Sequence, residues 1–446
     1  MTGSTALISN QPLKSISDRL RRIPIVWKFA MRVYGFKSFN PTKSQYRKRS
    51  PLPLRDFSPG KTYDIIFDAQ CLQTSIRQRG IGNYSLNFIA AICHERPRDS
   101  FAAILTTTAS PVDLAMAESA LKNLQCPNLD ILILNPFKNK QKVSLNAAQA
   151  ELLLALESTQ CRAVIALSSF EKQDTIITLP RSSKYKQIAI LYDLIRLQFP
   201  SDLLFSRQQR TSFAWSLNNL SRFDLLLSIS QETECHWTNL VSHGPHIKVI
   251  YGGAVKTKNI NRKSFADRSG ILCIGGEEPH KNLKRLIEGY SQLSEEVQLR
   301  HSLTIVGIRS IGVRNQLTRF SNKAIGRVSI PDYHVASRLA ELYENARLLV
   351  VPSLVEGLSL PILEAWAHGL VAVGSANTVA QELIGNVSQL FDPFSEESIA
   401  ACMQDLLTST TNWNEALESA ILRSELFSWN ATANLALDAI EELIHG

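Results

Sequence analysis

From residue 61 onward the chain alternates short apolar runs with longer stretches of helical period. The runs are YDIIFDA (63–69), FAAILTT (101–107), LDILILN (129–135), AVIALSS (163–169), QIAILYD (187–193) and FDLLLSIS (223–230), and IKVIYGGAV (247–255) closes the series. Runs of this length that are apolar on both faces suit parallel strands covered by helices on each side. A polar, basic stretch, KTKNINRKSFADRSG (256–270), reads as a linker. A second series follows: ILCIGG (271–276), LTIVG (303–307), GRVSI (326–330), LLVVPS (348–353) and VAVGS (371–375). Two βα arrays joined by a polar link predict an α/β protein of two doubly wound domains, 61–255 and 256–424. Ligands of such sheets bind beyond the carboxyl ends of the strands, so the loops after each run are the places to look.

Length agrees with this division, because 446 residues exceed one ordinary core. The composition, 44% hydrophobic and 20% charged, is that of a globular enzyme. No stretch approaches about 18 uninterrupted apolar residues, so no membrane span is expected. The N-terminus lacks a cleavable signal pattern. Seven scattered cysteines without a CxxC predict reduced cytosolic thiols rather than disulfides or a zinc site.

Charge changes the picture at one end. Residues 1–60 hold twelve Lys/Arg against Asp18 and Asp56, or +10, while the remainder holds 36 basic and 38 acidic residues, or −2. Within this extension Leu13, Ile16, Leu20, Ile23, Trp27, Ala30 and Tyr34 recur at steps of three or four, with Lys14, Arg21, Lys28 and Arg32 largely off the stripe. The pattern suits a basic amphipathic helix on an anionic membrane surface, kinked at Pro24; the alternative is a loosely packed extension. No nucleic-acid partner is expected, since the body adds no basic stripe.

The stretch VPSLVEGLSLPILEAWAHG (351–369) carries the densest candidate chemistry. Glu356 and Gly357 lie in the loop after a buried strand, Pro361 suits a helix start, and Glu364 falls in the first helical turn. Free loop N–H groups and the positive helix end make an anion site suited to a diphosphate. Two carboxylates beside it make sense as acceptors from sugar and ribose hydroxyls; alone, they equally fit a helix-start charge and a loop acid. In ILCIGGEEPHKNLKRLIEGY (271–290), Lys281 sits at the mouth of the next unit, placed to neutralise a phosphate or simply to be a surface lysine. In the first domain Gly80 and Gly82 precede a helix, where glycine permits close approach to the backbone, although the dinucleotide fingerprint is not matched. Tyr192 and Asp193 follow the fifth run, Asp193 fitting a cap. HGPH (243–246) lacks acidic or cysteine partners and reads as surface. No DxD occurs, which argues against a metal-bridged diphosphate.

Together these pieces resemble glycosyltransferase family 4, the retaining GT-B group that includes bacterial polysaccharide mannosyltransferases. The resemblance covers roughly 61–435 and is strongest in ARLLVVPSLVEGLSLPILEAWAHGLVAVGS (346–375), similar to the family's E-x7-E block. ILCIGGEEPHKNLKRLIEGY, IKVIYGGAV and FSWNATA (427–433) match further segments in the family's order. The resemblance implies two Rossmann-like domains facing a cleft, with the nucleotide sugar on the C-terminal domain and the acceptor on the N-terminal one, and a helix in 425–446 crossing back. It implies catalytic roles for Glu356 and Lys281. Glu364, Gly276, His280, Gly357, Leu358, Ser359, Leu360 and Glu382 would bind the donor, with Glu364 on the ribose and backbone N–H groups of 358–360 on the diphosphate. Gly80, Gly82, Asn83, Tyr192 and Asp193 would line the cleft or meet the acceptor.

The expected reaction is transfer of a hexose, with retention and without a metal or cofactor, from a nucleotide-diphosphate sugar to a glycan or lipid-linked acceptor in surface polysaccharide synthesis. It is expected in the cytoplasm, peripheral to the inner membrane face. The chain departs from the family's usual residues at Asn83 and His280, where relatives have arginine, at Tyr192, where they have histidine, and at Ser359, where they have glycine. Those departures suit the alternative of a non-catalytic glycan-binding or scaffold protein, because Tyr is a poor base near neutral pH.

Overall fold

The computed structural model describes residues 61–135, 145–170, 176–199, 206–241, 244–254, 263–331 and 338–446. The predicted basic helix of the first sixty residues, residues 256–262 of the linker and His243 of HGPH lie outside these. Two parallel sheets form. The first runs β1 (Ile65–Asp68), β2 (Phe101–Thr106), β3 (Leu129–Leu134), β4 (Ala163–Ala166), β5 (Lys186–Leu191), β6 (Leu225–Ser228) and β7 (His246–Val249), in spatial order β3-β2-β1-β4-β5-β6-β7. The second runs β8 (Ile271–Ile274), β9 (Leu303–Val306), β10 (Val328–Ser329), β11 (Leu348–Val351), β12 (Val371–Ser375) and β13 (Leu390–Phe391), in order β10-β9-β8-β11-β12-β13. Every predicted run supplies a strand. Only β13, two residues long, lies outside the predicted runs, too short for any period to show. The α/β, doubly wound expectation holds for both halves.

The inner strands of each sheet are apolar and packed on both faces, whereas the edge strand β7 alternates exposed His246 and Lys248 with half-buried Ile247 and Val249. Ile65 and Phe67 of β1 point into one apolar cluster, and Ile66 into another on the opposite face. In the second sheet Leu349 and Val351 share the first cluster, while Leu348 and Val350 enter a third. The first cluster is therefore continuous across the two halves, joining Tyr84 and Tyr192 to Leu358 and Trp366. The last helix, Trp429–His445, completes it by packing on the Gly80–Glu95 helix of the N-terminal half. Trp429 meets Tyr84 edge to face at 5.0 Å, and Arg162 reaches Glu441 at 3.2 Å. The loops after β5 and β11 meet where Gly357 approaches Tyr192 and Asp193, along the seam, or crevice, between the two halves. Among the described residues no helix is long and apolar enough to cross a membrane.

Candidate functional site

The C-terminal wall of the crevice is built from the loops after β8 and β11. The chain leaves β8 through Gly275-Gly276 and makes a 3-10 turn, Pro279–Lys281. It then passes through Asn282 in the left-handed region (φ 56°) before the Leu283–Tyr290 helix. Asn is among the few residues that tolerate this conformation. Here it also works as a brace: its Nδ2 donates to Pro352 O at 3.1 Å and Pro393 O at 2.8 Å, and its Oδ1 accepts from Arg285 at 2.9 Å. Lys281, the preceding residue, is thereby tied to the loops after β11 and β13. Nothing in the spacing marks Asn282 for this role, since both carbonyls lie in distant loops.

Lys281 Nζ donates to Glu356 Oε1 at 2.8 Å, and Ser353 Oγ donates to the same oxygen at 2.6 Å. The two predicted catalytic residues, 75 positions apart, do converge. Burial works against the charge on Lys281, yet Glu356, with Glu278 and Asp193 behind it, holds its ammonium above the ordinary value. An ammonium has three donors. Glu356 occupies one of them, so the group retains capacity for a second anion.

Beside this pair the Leu360–Ala367 helix begins. Its N-cap, Ser359, makes no side-chain cap bond; its Oγ is fully buried and has no hydrogen-bond partner. Leu360 N–H turns back to Leu358 O at 3.0 Å, and Ile362 N–H to Ser359 O at 3.0 Å. Pro361 carries no N–H, so with Leu360 and Ile362 engaged, Ser359 Oγ is the unsatisfied group at this helix start. Glu364, further along the helix, is engaged by Tyr343, whose Oη donates to Oε2 at 2.6 Å and whose ring stacks on His368 at 5.2 Å. Burial raises the Glu364 carboxyl, against the hydrogen bond from Tyr343. The Glu356–Lys281 pair and Glu364 thus have separate partners.

The N-terminal wall closes directly on this loop. A Cβ on Gly357 would overlap Tyr192 O and stand 2.8 Å from Asp193 Cβ, so only glycine permits the approach. Asp193 is raised by burial, opposed by the Ile195 N–H at 3.1 Å and by Arg196 and Lys281. Tyr192 turns its phenol the other way: its Oη lies 2.9 Å from Ser85 Oγ, within the core, and burial pushes it well above the phenol range. Gly82 is packed so closely on the preceding turn that a Cβ would stand 2.5 Å from Arg77 Cα. Gly80 faces Leu360 across the crevice, 3.7 Å from a Cβ placed there. Asn83 is exposed and accepts from Asn87 at 2.9 Å. His280 is buried with its ring 5.7 Å from that of Phe199, and its carbonyl accepts from Leu354 N–H at 2.7 Å. Gly276 lies beside the Glu278 carboxylate, which pairs with Arg79 across the crevice at 3.4 Å.

Glu382 spans the crevice as well. Its two oxygens accept from the N–H groups of Gln231 (2.9 Å) and Glu232 (2.6 Å) on the N-terminal half. Glu232, Ser353, Tyr343, Arg79 and Glu278 were not singled out in the sequence. No local pattern marks them, since each partner lies elsewhere in the chain or in a loop whose path is set by packing.

Comparison with known proteins follows the same division. Residues 268–409 match the family model for glycosyl transferases group 1. The serotype-specific mannosyltransferase WbdA of Escherichia coli is 26% identical over 410 residues, covering 85% of this chain and 48% of that protein. The O-antigen chain mannosyltransferase B of Escherichia coli is 31% identical over 187 residues, covering 41% of this chain and 49% of that one. The chain thus spans less than half the length of these curated relatives. Among solved structures, HepE of Anabaena in complex with UDP-glucose superposes with a TM-score of 0.59 at 16% identity, over 85% of this chain and 99% of that one. The lipopolysaccharide outer core galactosyltransferase WaaB in its apo form gives 0.55 at 14%, over 85% and 98%. These likenesses show the fold, which is GT-B.

Proposed function

We propose that this chain, with a group 1 glycosyltransferase domain at 268–409 set in a GT-B frame, transfers a hexose from a nucleotide-diphosphate sugar to a glycan or lipid-linked acceptor in surface polysaccharide synthesis. The observation that carries the reading is the Lys281–Glu356 pair beside the N-terminal end of the Leu360–Ala367 helix, where Ser359 Oγ has no partner. In this reading the diphosphate lies against the helix end and the free donors of Lys281. As the sugar–phosphate bond breaks, negative charge grows on the departing diphosphate. A fixed ammonium and fixed N–H dipoles stabilise that charge more than they stabilise the intact donor, which lowers the barrier. Glu356, held by Ser353 and Lys281, accepts from the donor sugar's hydroxyls, and Glu364 from the ribose. The transfer proceeds with retention and without a metal. That HepE is solved with UDP-glucose and that WbdA is a mannosyltransferase support a hexose on a nucleoside diphosphate.

The test is a transfer and donor-hydrolysis assay of the full chain across uridine and guanosine diphosphate hexoses, with and without chelator. Turnover of one donor, unchanged by chelator and with retained anomeric configuration, is expected. Silence with every donor, beside an active relative, overturns the reading. The basic extension is proposed to dock the protein on anionic membrane. Deleting residues 1–60 then abolishes sedimentation with anionic vesicles and leaves the fold intact, and equal sedimentation of both forms rejects that part.

A further inference from the structure

Two helices meet end to end across the crevice. The Gln231–Leu240 helix follows β6 in the N-terminal half, and the Val379–Ile384 helix follows β12 in the C-terminal half. The first N–H groups of any helix lack partners within it. Ser230 and Thr378 cap one N–H each, and part of what remains is supplied by the facing helix. Glu382, on the second helix, accepts from Gln231 N–H at 2.9 Å and Glu232 N–H at 2.6 Å. Glu232, on the first, accepts from Val379 N–H. The arrangement is reciprocal and joins residues 150 apart. It sits on the same side as the loop contact in which Gly357 presses on Tyr192 and Asp193.

The exchange is incomplete in one respect. Glu232 Oε2 is buried without a hydrogen-bond partner. Around it the charges are acidic: Glu382 and Glu356 face Glu232, and Glu234 faces Glu382. Arg423, the cation on this side, donates instead to the main-chain oxygens of Glu382 and Leu383. Tyr251 and Cys235 are the other titratable groups nearby, and both are pushed upward, burial first and Glu382 among the causes.

We propose that Glu232 and Glu382 form a proton-dependent clasp that holds the two domains closed and so positions Lys281 and Glu356 against the N-terminal wall. They act through the closed geometry and touch no reacting atom. The proposal rests on the two-domain fold and stands or falls apart from the transfer reaction. Burial raises the Glu232 carboxyl to about 8, with Glu382 and Glu356 adding to it. A carboxyl that titrates higher when closed than when open takes up a proton on closing. Closure is then fully supported below the ordinary carboxyl range and weakens as pH climbs toward 8, by up to about tenfold per pH unit for one linked proton.

Hydrogen exchange with mass spectrometry on the full chain reads this directly, because Glu382 is what accepts from the Gln231 and Glu232 N–H groups among the described residues. Protection, corrected for intrinsic rate, is expected to fall in the wild type between pH 5.5 and about 8, and to stay flat in Glu232→Gln. In Glu382→Ala it is expected to be at least about tenfold lower at every pH, with a larger radius of gyration by X-ray scattering. Parallel pH curves for wild type and Glu232→Gln overturn the proposal. So does an unchanged radius in Glu382→Ala, since the contact would then be local. Should Glu382→Ala fail to fold, the near-isosteric Glu232→Gln decides alone.

Discussion

On the C-terminal wall of the crevice, polar side chains are aimed at one another and at the opening: Lys281 on Glu356, Ser353 on Glu356, Asn282 on two neighbouring loops. On the N-terminal wall the side chains turn inward or away: Tyr192 bonds Ser85 in the core, Gly82 packs on Arg77, and the Asn83 side chain meets Asn87 at the surface. The first wall has the composition of an anion site and the second that of a packed shoulder. The difference is physical. A diphosphate demands fixed donors and a cation, which restricts the residues that can hold it. A surface that closes on a partner domain demands shape, which many residues supply.

If that contrast is right, damage to the first wall should abolish turnover and damage to the second should cost stability. The largest effect is expected for Lys281→Ala. Loss of the ammonium removes charge stabilisation that matters most in the transition state, and kcat should fall ~100- to 1,000-fold. The fold should survive, as the pair is partly solvated. A loss of less than about fivefold in kcat, at saturating donor, would show that the helix end alone carries the diphosphate.

Next comes Asn282, which separates brace from contact. Asn282→Ala removes two donors to Pro352 and Pro393 and places a Cβ-bearing residue without local side-chain bonds at φ 56°. The expected cost is about 1–3 kcal/mol in chemical denaturation. Displacement of Lys281 by a fraction of an ångström should lower kcat by about tenfold or more. Asn282→Gly relieves the backbone term only, so it should recover part of the stability and little of the activity. Equal recovery of both would mean the conformation, and not the brace, sets Lys281.

These two residues also show what the sequence could and could not disclose. The strands were legible because fully buried parallel strands must be apolar on both faces, and their length and spacing survive any change of detail. Glu356 and Lys281 were legible because each sits at a fixed offset from such a strand. Those two do meet, while Glu364, the second acid of the same stretch, is held by Tyr343 instead. Asn282 as a brace, Tyr343 on Glu364 and Glu232 on Val379 N–H were not legible. The first two depend on partners brought near only when the C-terminal half folds, and the last only when the two halves meet. Tyr192 was placed correctly after β5, but the direction of its phenol is set by the gap beside Ser85, which no spacing encodes.

A smaller effect, with a sign that pH reveals, is expected at Tyr343. Its phenol donates to Glu364, which burial otherwise pushes upward. A buried carboxyl raised in this way supports the fold fully below the ordinary carboxyl range, and that support is lost as pH rises through the raised value. The hydrogen bond favours the charged form, so removing it costs more where Glu364 is ionised. Tyr343→Phe should therefore lower stability by about 1.5–3 kcal/mol at pH 8 and by distinctly less at pH 5. Thermal melts at the two pH values read the difference. The same loss at both would show that Glu364 does not change charge between these two pH values.

The smallest effect sharpens the comparison most. Tyr192→Phe removes one hydroxyl and leaves the ring packed against Tyr84, 5.3 Å between centroids. Ser85 Oγ, buried, then loses its partner, at a cost of about 1–2 kcal/mol in the denaturation midpoint. Turnover should stay within about twofold, because a phenol held far above its ordinary range and aimed into the core neither takes a proton nor meets a sugar. Tyr192 would then serve the crevice through its backbone oxygen, which sets how closely Gly357 can approach. A loss of kcat beyond about tenfold, with stability unchanged, would mean that the phenol swings out to the acceptor during the reaction, and that the N-terminal wall shares in the chemistry it is here denied.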